Sequence, residues 1–162
     1  MKIFESGVVV NDKEIKIAII ISRFNYFINK NLLNSAIETL TRIGLIKNKN
    51  ISIFKVPGAY EIPIITKSVI ENFPNQFTAF IVLGTLIEGD TYHFKYISKT
   101  ISNALMKISL ENSIPIILGL LMTKNIEQAI ERAGSKLGNK GYESAICTLE
   151  ILNLIKLIKK NI

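Results

Sequence analysis

The sequence has no tryptophan, one cysteine, one histidine and four prolines in 162 residues. The lone thiol, Cys147, has no internal disulfide partner, which agrees with a reducing compartment. One histidine and one cysteine on distant segments are poor evidence for a metal centre or a thiol nucleophile, so no metal and no cofactor are expected. The phosphate and dinucleotide loops G-x-G-x-x-G and G-x-x-x-x-G-K-[ST] are absent, as is the G-x-S-x-G elbow. No apolar run approaches the ~20 residues that a membrane helix needs; the longest, Ile114–Met122, is strand-sized. Glu5 and Ser6 interrupt Met1–Val10 where a secretory leader would need an apolar centre, so a cytoplasmic protein is expected.

Arginine is scarce too. Arg23, Arg42 and Arg132 are the only arginines among 20 basic residues, and the lysines are scattered. The net charge of +7 could suggest a nucleic-acid partner. Arginine is the preferred bidentate reader of phosphates and bases, and no basic cluster exceeds Lys159–Lys160. A lysine-rich surface, with neither nucleic acid nor membrane as partner, is the better reading. What the chain does have is apolar residues, 48% of the total, with mean hydropathy +0.31. That is rich for its size and leaves apolar surface for partners.

Strands and helices alternate along the chain. Val8–Val10 is a short strand candidate, and Lys16–Ile21 a buried strand. Asn29–Ile43 carries apolar residues at Leu32, Leu33, Ala36, Ile37, Leu40 and Ile43, a helical period, with Asn29 as its cap and Gly44 at C′. Ile51–Val56 is a strand ended by Pro57–Gly58. A helix follows over Tyr60–Asn72, with Pro63 tolerated in its first turn. Ala79–Leu83 is a strand that opens into a loop at Gly84, and a helix runs from about Phe94 to Glu111. Ile114–Leu121 is the fourth strand. Asn125–Ala133 is a short helix stopped by Gly134, and a last helix follows Gly138–Gly141 to about Lys160. This order predicts one domain over 1–162, an arm (1–15) and an α/β core (16–160), with four parallel strands and helices on both faces.

In such a sheet the loops Ser22–Tyr26, Pro57–Glu61, Gly84–His93 and Leu120–Thr123 share one edge, where open α/β sheets bind ligands. Phe24 could stack on a flat heterocycle, and Glu61 could accept from hydroxyls. Amides near Asp90–Thr91 could hold a phosphate if a cation neutralised it, and a histidine such as His93 can move protons near neutral pH. Each residue also has a structural reading. Phe24 fits a buried aromatic, Glu61 a helix cap, His93 a surface or core histidine, Arg132 a solvated helix face, and Gly138–Gly141 plain turn chemistry. With no other motif present, the pattern points to catalysis by positioning and proton transfer.

Four stretches carry a resemblance over about Lys16 to Lys159. They are R-F-N at Arg23–Asn25, V-P-G-A-Y-E at Val56–Glu61, L-G-T-L-I-x-G-x-T-x-H at Leu83–His93, and N-I-E-Q-A-I-E-R-A-G-S-K-x-G-N-K-G at Asn125–Gly141. Together they resemble the lumazine synthase family. The resemblance implies a three-layer, flavodoxin-like fold and a condensation of 5-amino-6-(D-ribitylamino)uracil with 3,4-dihydroxy-2-butanone 4-phosphate, the penultimate step of riboflavin biosynthesis. It implies that Phe24 stacks on the pyrimidine, that Ala59, Tyr60 and Glu61 meet its ribityl side, and that Thr85, Leu86 and Ile87 contact the ring. It places Asp90 and Thr91 at the phosphate, Arg132 as its cation, His93 as proton donor and acceptor, Leu118 at the ring pocket, and Lys136 and Lys140 nearby. It implies pentamers with active sites between subunits, the N-terminal strand pairing with a neighbour, and an association with riboflavin synthase. The compact G-N-K-G segment favours a shell of twelve pentamers. Glu88, Asp90 and Leu118 depart from the common pattern. They keep open an alternative, a non-catalytic shell that binds a lumazine or flavin.

Overall fold

Two residue layers of opposite polarity of direction, not of chemistry, build the core. Along the first strand, β1 (Ile17–Ser22), Ile17, Ile19 and Ile21 face one side and Ala18 and Ile20 the other, and none of the five has measurable exposure. The strand β3 (Ala79–Ile87) repeats the alternation, with Ala79, Ile81 and Leu83 against Phe80 and Val82. A strand apolar on both faces needs a helix layer on each. The computed structural model describes residues 1–10, 14–89 and 93–160, and for His93 the backbone alone. It supplies those layers. The helices α1 (Tyr26–Arg42) and α5 (Lys140–Lys160) cover one face, while α2 (Ile62–Asn72) and α3 (His93–Asn112) cover the other.

With β2 (Ile51–Val56) and β4 (Ile116–Thr123), the strands run parallel in the order β2-β1-β3-β4. This is the expected flavodoxin-like sheet. Its strand order reverses between β1 and β3, the switch point at which such sheets open a crevice. The two central strands part company there: β1 pairs with β3 only as far as Ile21↔Leu83, while β3 continues beside β4 to Ile87↔Thr123.

Several local expectations change. The Ala79 strand does not open at Gly84 but runs on to Ile87, because β4 continues to pair with it. The first helix begins at Tyr26 instead of Asn29, whose side chain turns inward. At its other end, Leu45 takes the left-handed backbone (φ 58°) expected of Gly44. Gly44 is there for space, since a Cβ would stand 2.5 Å from Leu149 Cδ2. Val8–Val10 is not a strand within the chain. Asn153 Nδ2 donates to the carbonyls of Gly7 (2.6 Å) and Val9 (3.0 Å), laying the segment along α5 with Val10 buried.

The expected helix over Asn125–Ala133 is α4 (Ile126–Glu131), capped by Asn125, whose Oδ1 accepts from the Gln128 amide at 2.9 Å. Beyond it, β5 (Ala133–Ser135) and β6 (Gly138–Asn139) form an antiparallel hairpin. Its left-handed positions fall on Gly134 (φ 105°) and Gly138 (φ 85°), so turn chemistry is the right reading of Gly138. Gly141 serves another purpose. A Cβ there would overlap the carbonyl group of Leu32, where α5 crosses α1. Because backbone cannot yield as a flexible side chain does, Gly141→Ala is expected to destabilise the fold by about 2–3 kcal/mol. An unchanged urea midpoint at fixed protein concentration would show that the helices do not depend on this close crossing.

Candidate active site

The cleft at the switch point has a volume of about 580 Å³. Phe24, Asn25, Gly58, Ala59 and Tyr60 line one side, Thr85–Gly89 the other, and Phe94 and Ile97 of α3 close the end. The structure therefore brings together Phe24, Ala59, Tyr60, Thr85, Leu86 and Ile87, from three different loops or strand ends. Phe24 is 71% exposed, which rules out the buried-aromatic reading and leaves its ring available at the rim. Tyr60 is 61% exposed opposite a mostly apolar wall. A flat ring entering here meets aromatic and aliphatic surface first, and backbone groups at the strand ends second.

Local bonding explains the positions. Past Ile21 the chain leaves β3 and stays with β2: the Arg23 amide donates to the Val56 carbonyl (2.7 Å) and the Phe24 amide to the Pro57 carbonyl (3.0 Å). Asn25 then adopts a left-handed conformation (φ 58°, ψ 33°), which asparagine tolerates better than most residues. Its side chain does not cap α1; Nδ2 donates to the Thr85 carbonyl at 3.0 Å. Glu61 realises its capping role, since its Oε2 accepts from the Gly58 amide at 2.8 Å and so shapes the V-P-G-A-Y-E turn. Asp90 and Thr91 lie outside the described residues, as does the His93 side chain; the backbone of His93 begins α3.

Glu61, Leu118, Arg132 and Lys140 do not line this cleft. Leu118 sits on β4, paired with Val82 and 37% exposed. Arg132 ends α4 and is not a freely solvated helix residue. Its Nη2 lies 3.1 Å from Glu143 Oε2 and its Nη1 donates to the Leu137 carbonyl at 3.4 Å. Lys140 Nζ reaches the same Glu143 oxygen at 3.4 Å. Two cations thus converge on one carboxylate at the hairpin, a cluster that carries one positive charge in excess. The pairs are roughly two-fifths exposed, so their value lies in orienting the cations more than in stability.

Phe94 and Ile97, which line the cleft, and Asn29, which lies beneath it, are not among the residues expected at the site, whereas Asn25 belongs to the expected R-F-N loop. Phe94 and Ile97 were legible in principle, being one turn apart at the start of a helix beginning at the site. Asn29 had a signal as well: it is a polar residue on the stripe otherwise made by Leu32, Leu33, Ala36 and Leu40. Among the described residues no group of His, Cys, Asp or Glu could hold a metal ion, and no helix is long and apolar enough to cross a membrane. Cys147 is exposed on α5, and desolvation, then Glu150, push its thiol above the ordinary value of 9.0 against an opposing Lys140. A thiol held protonated is a weak nucleophile.

A parallel sheet with an aromatic-rimmed cleft at its switch point places the chain among doubly wound proteins that take a small molecule at the carboxyl edge of the sheet. Sequence comparison narrows the class. Residues 14–156 match the 6,7-dimethyl-8-ribityllumazine synthase family, and the chain belongs to it. A 6,7-dimethyl-8-ribityllumazine synthase of Wigglesworthia glossinidia brevipalpis is 54% identical over 92% of this chain and 96% of its own. Those of Buchnera aphidicola subsp. Baizongia pistaciae and Blochmanniella pennsylvanica are 49% and 47% identical, each over 99% of both chains. The resemblance read from the four motifs is borne out.

Proposed function

We propose that the chain condenses 5-amino-6-(D-ribitylamino)uracil with 3,4-dihydroxy-2-butanone 4-phosphate to 6,7-dimethyl-8-ribityllumazine, with the switch-point cleft as the pyrimidine site. The observation that carries the assignment of the cleft is the convergence of Phe24, Ala59–Tyr60 and Thr85–Ile87 on one opening in a chain of this family. The exposed Phe24 ring stacks on the pyrimidine. Ala59, Tyr60 and Glu61 face the ribityl chain, and Thr85, Leu86 and Ile87 hold the ring edge through backbone and packing.

The reaction needs an imine between the pyrimidine's amine and the butanone carbonyl, elimination of phosphate, and ring closure by the ribityl-bearing nitrogen. Imine formation and ring closure each expel water. Every step moves a proton, and alignment of two flexible substrates supplies much of the remaining barrier reduction. His93, at the start of α3 beside the cleft residue Phe94, is the proton donor and acceptor. Asp90 and Thr91 sit at the phosphate, and Arg132 is its cation, with Lys140 alongside.

Arg132, Lys140 and Leu118 reach a cleft only if it belongs to a neighbouring subunit. The molecule's surface favours such neighbours. A folded chain of 18.2 kDa exposes roughly 8,100 Å², whereas this one exposes 9591 Å². Ile64, Tyr96, Met106 and Leu110 stand exposed on α2 and α3. The outer edge of β4, like that of β2, has no partner strand among the described residues, and such an edge is a ready template for pairing with another chain. The assembly is a pentamer with shared sites, and twelve pentamers form a closed shell able to associate with riboflavin synthase. All of this takes place in the cytoplasm.

Following lumazine formation optically from both substrates, against a control without protein, tests the reading. Rate enhancement proportional to protein supports the enzyme; ligand binding without turnover by folded protein would favour the binding shell. His93→Ala is expected to lower kcat about tenfold or more with folding spared, a margin reduced by slow uncatalysed condensation. Wild-type turnover in that variant would remove His93 from the proton transfers. Arg132→Ala is expected to raise KM for the phosphorylated substrate about tenfold or more while leaving KM for the pyrimidine nearly unchanged. Equal effects on both would sink its assignment as the phosphate cation. Light scattering is expected to give the mass of sixty chains, and a mass near five would overturn the shell.

A further inference from the structure

We propose that Asn29 is a positioning residue, whose carboxamide locks the loop bearing Phe24 to the end of β3 and thereby sets the width and register of the pyrimidine cleft. The inference rests on the reading of the cleft as the pyrimidine site. It begins from a gap in the sheet: backbone pairing between β1 and β3 ends at Ile21↔Leu83, yet the two sides of the cleft lie beyond that point, at Phe24–Asn25 and Thr85–Ile87. Something else must hold them at a fixed separation.

Asn29 is fully buried on the first turn of α1, at the base of the gap. The two hydrogens on its Nδ2 are shared among three acceptors, the Phe24 carbonyl (2.8 Å), Ser22 Oγ (2.9 Å) and the Ser22 carbonyl (3.0 Å). Its Oδ1 accepts from Thr85 Oγ1 at 2.6 Å. The amide end therefore grips the β1 loop, and the oxygen end grips β3. Asn25 adds a second strut from its own Nδ2 to the Thr85 carbonyl. Only a carboxamide fits this place. Aspartate would turn negative oxygen towards the acceptors at Ser22 and Phe24, and leucine, of similar size, would leave the buried Thr85 hydroxyl without its acceptor and the Phe24 carbonyl with only the long 3.4 Å bond from Ser22 Oγ. Asn29 does not line the cleft, so its influence on substrate passes through Phe24 and Thr85.

Such a role separates from simple stability. Asn29→Leu is expected to raise KM for the pyrimidine substrate about tenfold, with KM for the phosphorylated substrate little changed. Amide hydrogen exchange is expected to quicken about tenfold or more at both Phe24–Tyr26 and Leu86–Ile87. Leu40→Ala, a core truncation on the same helix away from the network, serves as the control. It lowers the melting temperature but leaves the ratio of the two KM values where it was. Should Asn29→Leu fail to fold, Thr85→Val, which removes only the hydroxyl bond to Oδ1, carries the same comparison. Exchange unchanged at both segments, or KM values shifted together as in the control, would overturn the positioning role. Absence of turnover by the wild-type protein would instead strike the functional reading, and the exchange data would still decide whether Asn29 ties the two sides together.

Discussion

The β1–β3 pairing at the centre of the sheet is the interaction on which everything else depends. It buries both faces of two all-apolar strands and fixes the register Ile17↔Ala79 through Ile21↔Leu83. Each fully buried aliphatic side chain there contributes about 1.5–3 kcal/mol, so this pair anchors the helix layers on both sides. The place where the pairing stops is equally important. β1 turns towards β2 and β3 stays with β4, because a parallel strand's continuation is set by whichever neighbour still offers backbone partners. The cleft is the wedge left between them.

A wedge in a sheet removes main-chain hydrogen bonds from buried peptide groups, and those groups must find other partners. Here side-chain amides replace the ladder. Asn25 and Asn29 satisfy the Thr85 carbonyl, the Thr85 hydroxyl and the Phe24 carbonyl across the gap. No buried side-chain polar atom among the described residues is left without a partner. The result is a site whose walls are held by directional bonds and whose surface, from Phe24, Tyr60, Leu86, Ile87 and Phe94, is largely apolar. Rigid polar support beneath an apolar lining suits a flat heterocycle that must be aligned for condensation.

Among the described residues, cationic side chains are kept away from the cleft, whose one charged lining residue is Glu88. Arg132 and Lys140 share Glu143 at the β5–β6 hairpin, on the α1–α5 side of the sheet, while the cleft ends against α3 on the opposite side. The aromatic-rimmed cleft and the cationic cluster are thus separated within one chain, and on the proposed reading only a second copy brings them together. The apolar composition belongs to the same account, because exposed side chains on α2 and α3 are surface that association would bury.

Much of this was legible in the residues. The period-two alternation of Ile17–Ile21 and Ala79–Leu83, the helical stripe of Leu32–Leu40 and the breaks at Pro57 and Gly134 determined the element order. Parallel connectivity then required that the four loops share one edge. Motif order identified the family, and it pointed to Phe24, Ala59–Tyr60 and Thr85–Ile87, which the fold brings to one cleft. Tertiary structure alone decided where β3 ends, that a hairpin follows α4, that Gly141 yields to the Leu32 carbonyl, and that Asn29 is a buried strut instead of a cap. The reason is the same in each case. Local patterns record which face of an element is apolar, but a hydrogen bond from Thr85 to a residue 56 positions earlier depends on which elements the fold sets side by side, and no local spacing encodes it.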